Sequence, residues 1–293
     1  MKNFIFTIDV ESFSFETYNY DDKVIYRLEN EAMPKLLSLL HKFEIKATFF
    51  YVASYLKISK DSFYEVIKQG HEIASHGWDH TECYDKMSLN EQVNFLKKSK
   101  DTVEDLANKK IYSFRAPFLR INSDTIKALE ITGFKIDSSV ASKRFDFMFT
   151  TGALQKLGLL TAPSGSYIPS RDNPYKNGNS NVLEVPVSSY IWSLTGTHLR
   201  ISEYPTKLLA MYLINQKKIN PQVFLLHPNE LLAFKKKKTY RRGNVFQDNI
   251  RHWIKMKDLG DEAITKIESF IEGIKNDVKF NSLYNYYELQ KSK

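Results

Sequence analysis

The sequence predicts an α/β protein in which helices cover a parallel sheet or barrel. Three observations point there. Short apolar runs rich in β-branched and aromatic residues recur along the chain, amphipathic patterns of helical period lie between them, and polar residues able to do chemistry fall directly after the runs. In such folds, sites form at the carboxyl ends of the strands.

The strand-like runs are residues 4–9, 46–52, 72–75, 113–115, 182–187 and 223–227, each short and flanked by polar residues. Helical periodicity over residues 30–43 puts Ala32, Leu36, Leu37 and Leu40 on one face. Residues 88–106 open with Ser88 and Glu91 in a capping box, and residues 122–132 end at Gly133, placed as a C′ glycine. From about residue 145 to 180 the alternation breaks at Pro163, Gly165, Pro169, Pro174 and Gly178, so this stretch reads as a loop-rich insertion across the strand ends. The chain reads as one domain over residues 1–293, with a helical C-terminal segment around 245–293 and no internal repeat.

A composition 42% hydrophobic and 26% charged excludes a disordered chain. Cys83 is the one cysteine, so neither an internal disulfide nor a multi-cysteine zinc site can form, and a reducing compartment is expected. The first apolar run is cut short by Asp9, too soon for a signal peptide, and no run of about 18 apolar residues exists to span a membrane. For a chain complete as given, a cytoplasmic protein is expected. The net charge of +8 is first a solvated, lysine-rich surface. Its densest part, Lys235 to Arg242, could meet a phosphate- or lipid-linked substrate or touch a membrane peripherally. Nucleic-acid binding would rest on charge alone and is not expected.

Ser75-His76-Gly77-Trp78-Asp79-His80 sets two imidazoles four residues apart. On a helical turn they project the same way and can share a metal ion, although two structural histidines fit the spacing equally well. Thr7-Ile8-Asp9-Val10-Glu11 places two carboxylates on one side if the strand continues. One could complete a two-histidine ligand set while the other takes a proton from water, but strand-end acids also merely cap loops. Arg115 is either an ion pair inside the barrel or part of a site, and His227 is either buried structure or a proton donor.

These segments, with Arg115-Ala116-Pro117-Phe118 and Leu225-Leu226-His227, resemble in order the motifs of the NodB-like polysaccharide deacetylases, carbohydrate esterase family four. Lys46-Ala47-Thr48-Phe49-Phe50, Gly70 to His76 and Gly133 to Ser139 resemble the segments around those motifs, so the likeness runs from residue 4 to about 230. It implies a distorted (β/α) barrel of about seven parallel strands. It also implies Asp9 as catalytic base, His76 and His80 as metal ligands, His227 as the general acid and Arg115 as the tether of Asp9. Glu11 stands where some branches have a second aspartate and is the implied third ligand. Pro117 and Phe118 would form groove wall, and Trp78 would stack on a sugar. The sequence departs from the commonest pattern in having Asp9-Val10-Glu11 for adjacent aspartates, and in lacking a tryptophan after Asp137.

The expected activity is metal-dependent removal of an acyl group, acetyl first, from an amino sugar in a glycan or glycan precursor. Two imidazoles and a carboxylate suit zinc, with cobalt, nickel or manganese compatible. The rivals are a relative hydrolysing a non-sugar amide or formamide C–N bond and an inactive carbohydrate-binding barrel.

Overall fold

The computed structural model describes residues 1–144, 158–235 and 252–292. Seven parallel strands curl into a half-barrel: β1 (Lys2–Val10), β2 (Thr48–Tyr51), β3 (Glu72–Ser75), β4 (Ser113–Phe114), β5 (Ile136–Asp137), β6 (Leu183–Glu184) and β7 (Gln222–Leu226). Their spatial order is β7-β1-β2-β3-β4-β5-β6, which is the distorted (β/α) barrel that the sequence predicts. An eighth strand, β8 (Val278–Phe280), pairs in parallel with the first residues of β1. It interrupts the C-terminal segment expected to be helical, because Val278 needs the apolar flank of β1 for burial and three residues carry no period that a sequence reading can detect.

β1 is buried on both faces, as a central parallel strand must be. Phe4, Phe6, Ile8 and Val10 point out into the helical layer, and Ile5 points inward to a core shared with Phe50, Ala74, Ile136 and Val223. Strand alternation then places Thr7 and Asp9 on the same inward face as Ile5. Below them the helix Leu283–Lys291 plugs the amino-terminal end of the barrel with Leu283 and Tyr286. Between β6 and β7 the sheet does not close by a regular ladder. Ser188 bridges the gap instead, its N–H donating to the Val223 carbonyl at 3.0 Å and its hydroxyl accepting from the Val223 N–H at 2.8 Å.

The helices follow the capping chemistry. Leu89–Ala107 is opened by Ser88, whose N–H donates to the Glu91 carboxylate at 2.8 Å, and Ser123–Ile131 by Asn122, whose side chain accepts from the Thr125 N–H at 3.1 Å. The helix expected over 30–43 begins earlier, at Asp22, and passes through a π turn, Leu28–Ala32, before Met33–Lys42. Pro34 explains the turn: it has no N–H for the carbonyl of Asn30, and the Met33 N–H reaches back to Leu28 instead. No helix among the described residues is long and apolar enough to cross a membrane. Residues 145–157 of the loop-rich insertion, and all of the basic run except Lys235, lie outside the described residues.

The outer layer is stapled to the sheet by Phe270, fully buried on the helix Asp261–Ile274, its ring 5.1 Å from Phe224 and 6.1 Å from Phe4. Phe270→Ala should lower the unfolding free energy by about 3–5 kcal/mol, read from denaturant midpoints at unchanged slope. A loss below about 1 kcal/mol would show that this layer does not depend on the contact.

Candidate active site

The parallel register brings the strand ends to one level. Asp9 pairs with Phe50, Tyr51 with Ser75, and Ser75 with Phe114, while Ile8 lies opposite Leu226. The residues just beyond those pairs, Glu11, His76, Arg115 and His227, therefore converge at one mouth of the barrel.

Arg115 crosses the barrel interior with no solvent exposure. Its Nη1 donates to Asp9 Oδ1 at 2.7 Å and to Thr7 Oγ1 at 2.9 Å, and its Nη2 donates to Ser138 Oγ at 2.7 Å. Its Nε donates to the Ser138 carbonyl at 2.8 Å, and its guanidinium lies 4.3 Å from the centre of the Phe50 ring. The carbonyl of the same residue lies 2.8 Å from His76 Nδ1. A carbonyl only accepts, so Nδ1 carries the proton and the Nε2 lone pair faces the site, 3.9 Å from Asp9 Oδ2.

His76 and His80 do meet, with ring centroids 4.9 Å apart, but not on a helical turn. The segment is a loop: Gly77 has φ of +79° and His80 of +67°. The Glu82 carboxylate accepts from the N–H groups of Trp78 and Asp79 and holds the loop closed. A Cβ at Gly77 would lie 3.1 Å from Glu82 Oε1 and 3.2 Å from Pro117 Cγ, so both conformation and space favour glycine between the histidines. His80 Nε2 reaches Glu11 Oε2 at 2.8 Å, and donor atoms of Glu11, His76 and His80 all lie within 4.8 Å of one another. Two imidazoles and a carboxylate at that spacing fit a divalent metal with a position left open. Burial lowers the His76 pKa to about 4, and attraction to His80 and His227 outweighs burial to hold Glu11 well below the usual carboxylate range. Both groups are then in the deprotonated form that ligation needs.

His227 turns its Nε2 toward Glu11, 3.9 Å from Oε1, and its Nδ1 toward Glu230, 3.3 Å from Oε1. Burial opposes its charged form, but Glu11 and Glu230 outweigh burial and raise its pKa. At the mouth, Phe118 is 44% exposed, takes a left-handed φ of 59° and packs its ring 4.7 Å from His80. Pro117 is buried beneath it against the histidine loop. Trp78, half-buried beside them, packs on the hydrophobic core, and the Lys98 ammonium lies over its ring at 3.6 Å.

Several site residues carry no signal of their own in the sequence. Thr7 and Ser138 bind Arg115, and Tyr20 packs its tilted ring against His80, centroids 4.9 Å apart. Glu230 stands three residues after His227 with no pattern that marks it. Asp137 and Glu184 form a buried carboxyl pair below Arg115, with Asp137 accepting from Ser139 Oγ and Glu184 from the Val140 N–H at 3.0 Å.

Residues 17–136 match the family model for polysaccharide deacetylase. Among curated proteins, a peptidoglycan deacetylase from Helicobacter pylori is 28% identical over 113 residues, 39% of this chain and 38% of that protein. A peptidoglycan deacetylase-like protein from Gibberella zeae is 33% identical over 130 residues, 44% of this chain and 38% of that protein. The chain thus aligns to well under half the length of either. Among solved structures, a candidate polysaccharide deacetylase from Mycobacterium smegmatis superposes with a TM-score of 0.65 at 17% identity, covering 99% of this chain and 90% of that one. A CE4 family pseudoenzyme from Bacillus anthracis gives 0.52 at 13% identity, covering 97% and 64%. These structural likenesses establish the fold.

Burial pushes the Asp137 carboxyl up to about 6, and burial together with the charge of Asp137 pushes Glu184 well above the usual range. Raised folded-state values mean that the folded form holds a proton the unfolded chain releases, so this contribution is fully present below about pH 4 and is lost as pH rises through about 6. Asp137→Asn should make the fall in melting temperature between pH 5 and pH 8 shallower by a few degrees. An unchanged pH slope would show that the pair does not share a proton.

Proposed function

We propose, from the premise that this chain belongs to the NodB-like polysaccharide deacetylase family, that it is a divalent-metal-dependent hydrolase releasing acetate from an N-acetylated amino sugar. The observation that carries the proposal is the convergence of Glu11, His76 and His80 within 4.8 Å, beside the Asp9–Arg115 pair and His227. A base, a ligand set and an acid meet at one barrel mouth, and a barrel that only bound sugar would have no use for all three.

Glu11, His76 and His80 would hold the ion, which when bound polarises the amide carbonyl and makes water easier to deprotonate. Asp9 has one oxygen committed to Arg115 and leaves Oδ2 to take the proton of the attacking water. Because Arg115 is packed on all sides, Asp9 cannot swing out of line as the proton moves. His227 Nε2 faces the same space and supplies the proton without which an amine leaves poorly. Phe118 presents an exposed ring edge beside the ligands, suited to the apolar face of a sugar. The basic run Lys235 to Arg242 supports a substrate bearing phosphate, such as a glycan precursor.

The test is metal content measured together with acetate release from N-acetylglucosamine oligosaccharides. His76→Ala should lose both. Asp9→Asn should keep its metal while turnover falls by about 10²–10⁴. Full activity in chelator-treated, metal-free protein would defeat the proposal. A metal-bound protein silent on N-acetyl sugars but active on small amides would move it to the C–N hydrolase reading.

A further inference from the structure

We propose that Glu230, gripped by Arg200 and Thr197, is the positioning residue that aims the proton donor His227 at the reacting centre. The proposal rests on the deacetylase reading and adds how its acid is held.

The two nitrogens of the His227 ring face two different carboxylates: Nδ1 lies 3.3 Å from Glu230 Oε1, and Nε2 lies 3.9 Å from Glu11 Oε1 on the site side. Glu230 is fully buried and is fixed from three directions. Arg200 Nε donates to its Oε2 at 2.7 Å, Thr197 Oγ1 donates to its Oε1 at 3.2 Å, and its own N–H closes a turn onto the His227 carbonyl at 3.0 Å. Arg200 is itself buried and anchored by the Lys257 carbonyl.

An independent observation comes from Gly196. A Cβ there would stand 2.9 Å from Glu230 Oε2 and 2.6 Å from Leu226 Cδ1. The short helix Gly196–Ile201 can press Thr197 and Arg200 onto the carboxylate only if residue 196 has no side chain. Two other buried acids of the barrel, Asp137 and Glu184, are committed to Ser139, to the Val140 N–H and to each other.

The chemistry follows from donor and acceptor capacity. A carboxylate paired with a buried guanidinium stays ionised and can only accept. Nδ1 of His227 must then carry a hydrogen, and the second proton of the imidazolium sits on Nε2, facing the site. In the reaction, the Nε2–H bond breaks as the proton joins the leaving nitrogen, which takes the electron pair of the breaking C–N bond. The Nδ1–H remains with Glu230 throughout.

The experiment compares an N-acetylglucosamine oligosaccharide with 4-nitrophenyl acetate, whose leaving group departs without a proton. Glu230→Ala should lower kcat on the sugar about 100-fold with KM changed less than about threefold, and should lower turnover of the aryl ester less than about threefold. Glu230→Gln keeps an oxygen acceptor and should recover about tenfold of that loss. Gly196→Ala should reproduce the selective loss through an intact carboxylate. Glu230→Ala placed on His227→Ala should cost nothing more, since residues acting as a unit are not additive. Parallel loss on both substrates, or additive loss in the double variant, would overturn the proposal. A wild type inactive on both substrates would instead defeat the deacetylase reading. In that case nitrogen-15 spectra of the imidazoles still decide the positioning role: the His227 Nδ1–H signal should be present in wild type and lost in Glu230→Ala, and its absence from wild type would overturn it.

Discussion

The ion pair between Arg115 and Asp9 is the constraint on which the rest of the site depends. A guanidinium inside a barrel is tolerated only if its donors find partners, and Thr7, Asp9 and Ser138 between them satisfy all three of its nitrogens. Those partners come from the ends of β1 and β5, so one side chain ties opposite walls together. Removing either charge would leave the other buried and unpaired, a loss of about 3–5 kcal/mol by analogy with broken buried pairs. The carbonyl of the same arginine sets the tautomer of His76. Asp9 and His76 are therefore oriented by a single residue, and their relative placement does not depend on a loop.

Charge is handled the same way elsewhere in the barrel. Arg200 serves Glu230 as Arg115 serves Asp9, and its attraction outweighs burial to hold the Glu230 carboxyl down to about 2. Asp137 and Glu184 are hydrogen-bonded to each other, and burial raises both carboxyls despite the charge of Arg115. The barrel mouth thus favours the ionised form of Glu11 and Glu230, while burial in the layer below raises the carboxyls of Asp137 and Glu184. The difference is set by the cations and imidazoles that face each acid, because all are buried or nearly so.

Much of the fold was legible because local rules and tertiary contacts agree. The residues of β1 are apolar on both faces because helices and sheet neighbours cover both, and the caps at Ser88 and Asn122 work within one turn of chain. Strand β5 is only two residues, too short to show a period, and β8 is defined by its neighbour. The π turn before Met33 is a consequence of Pro34 that periodicity alone does not display.

By itself the sequence determined which groups could do the chemistry and that they would stand at strand ends, because strand-ending polar residues and their order are local properties of the chain. It also determined that Gly77 separates His76 from His80, although not that its positive φ would replace a helical turn with a loop. Only the tertiary structure decided how Glu11 comes to join the histidines, because Arg115 claims Asp9 from across the barrel. It likewise decided that His227 is faced by Glu230, since the approach of Arg200 past Gly196 is a matter of packing between segments about thirty residues apart.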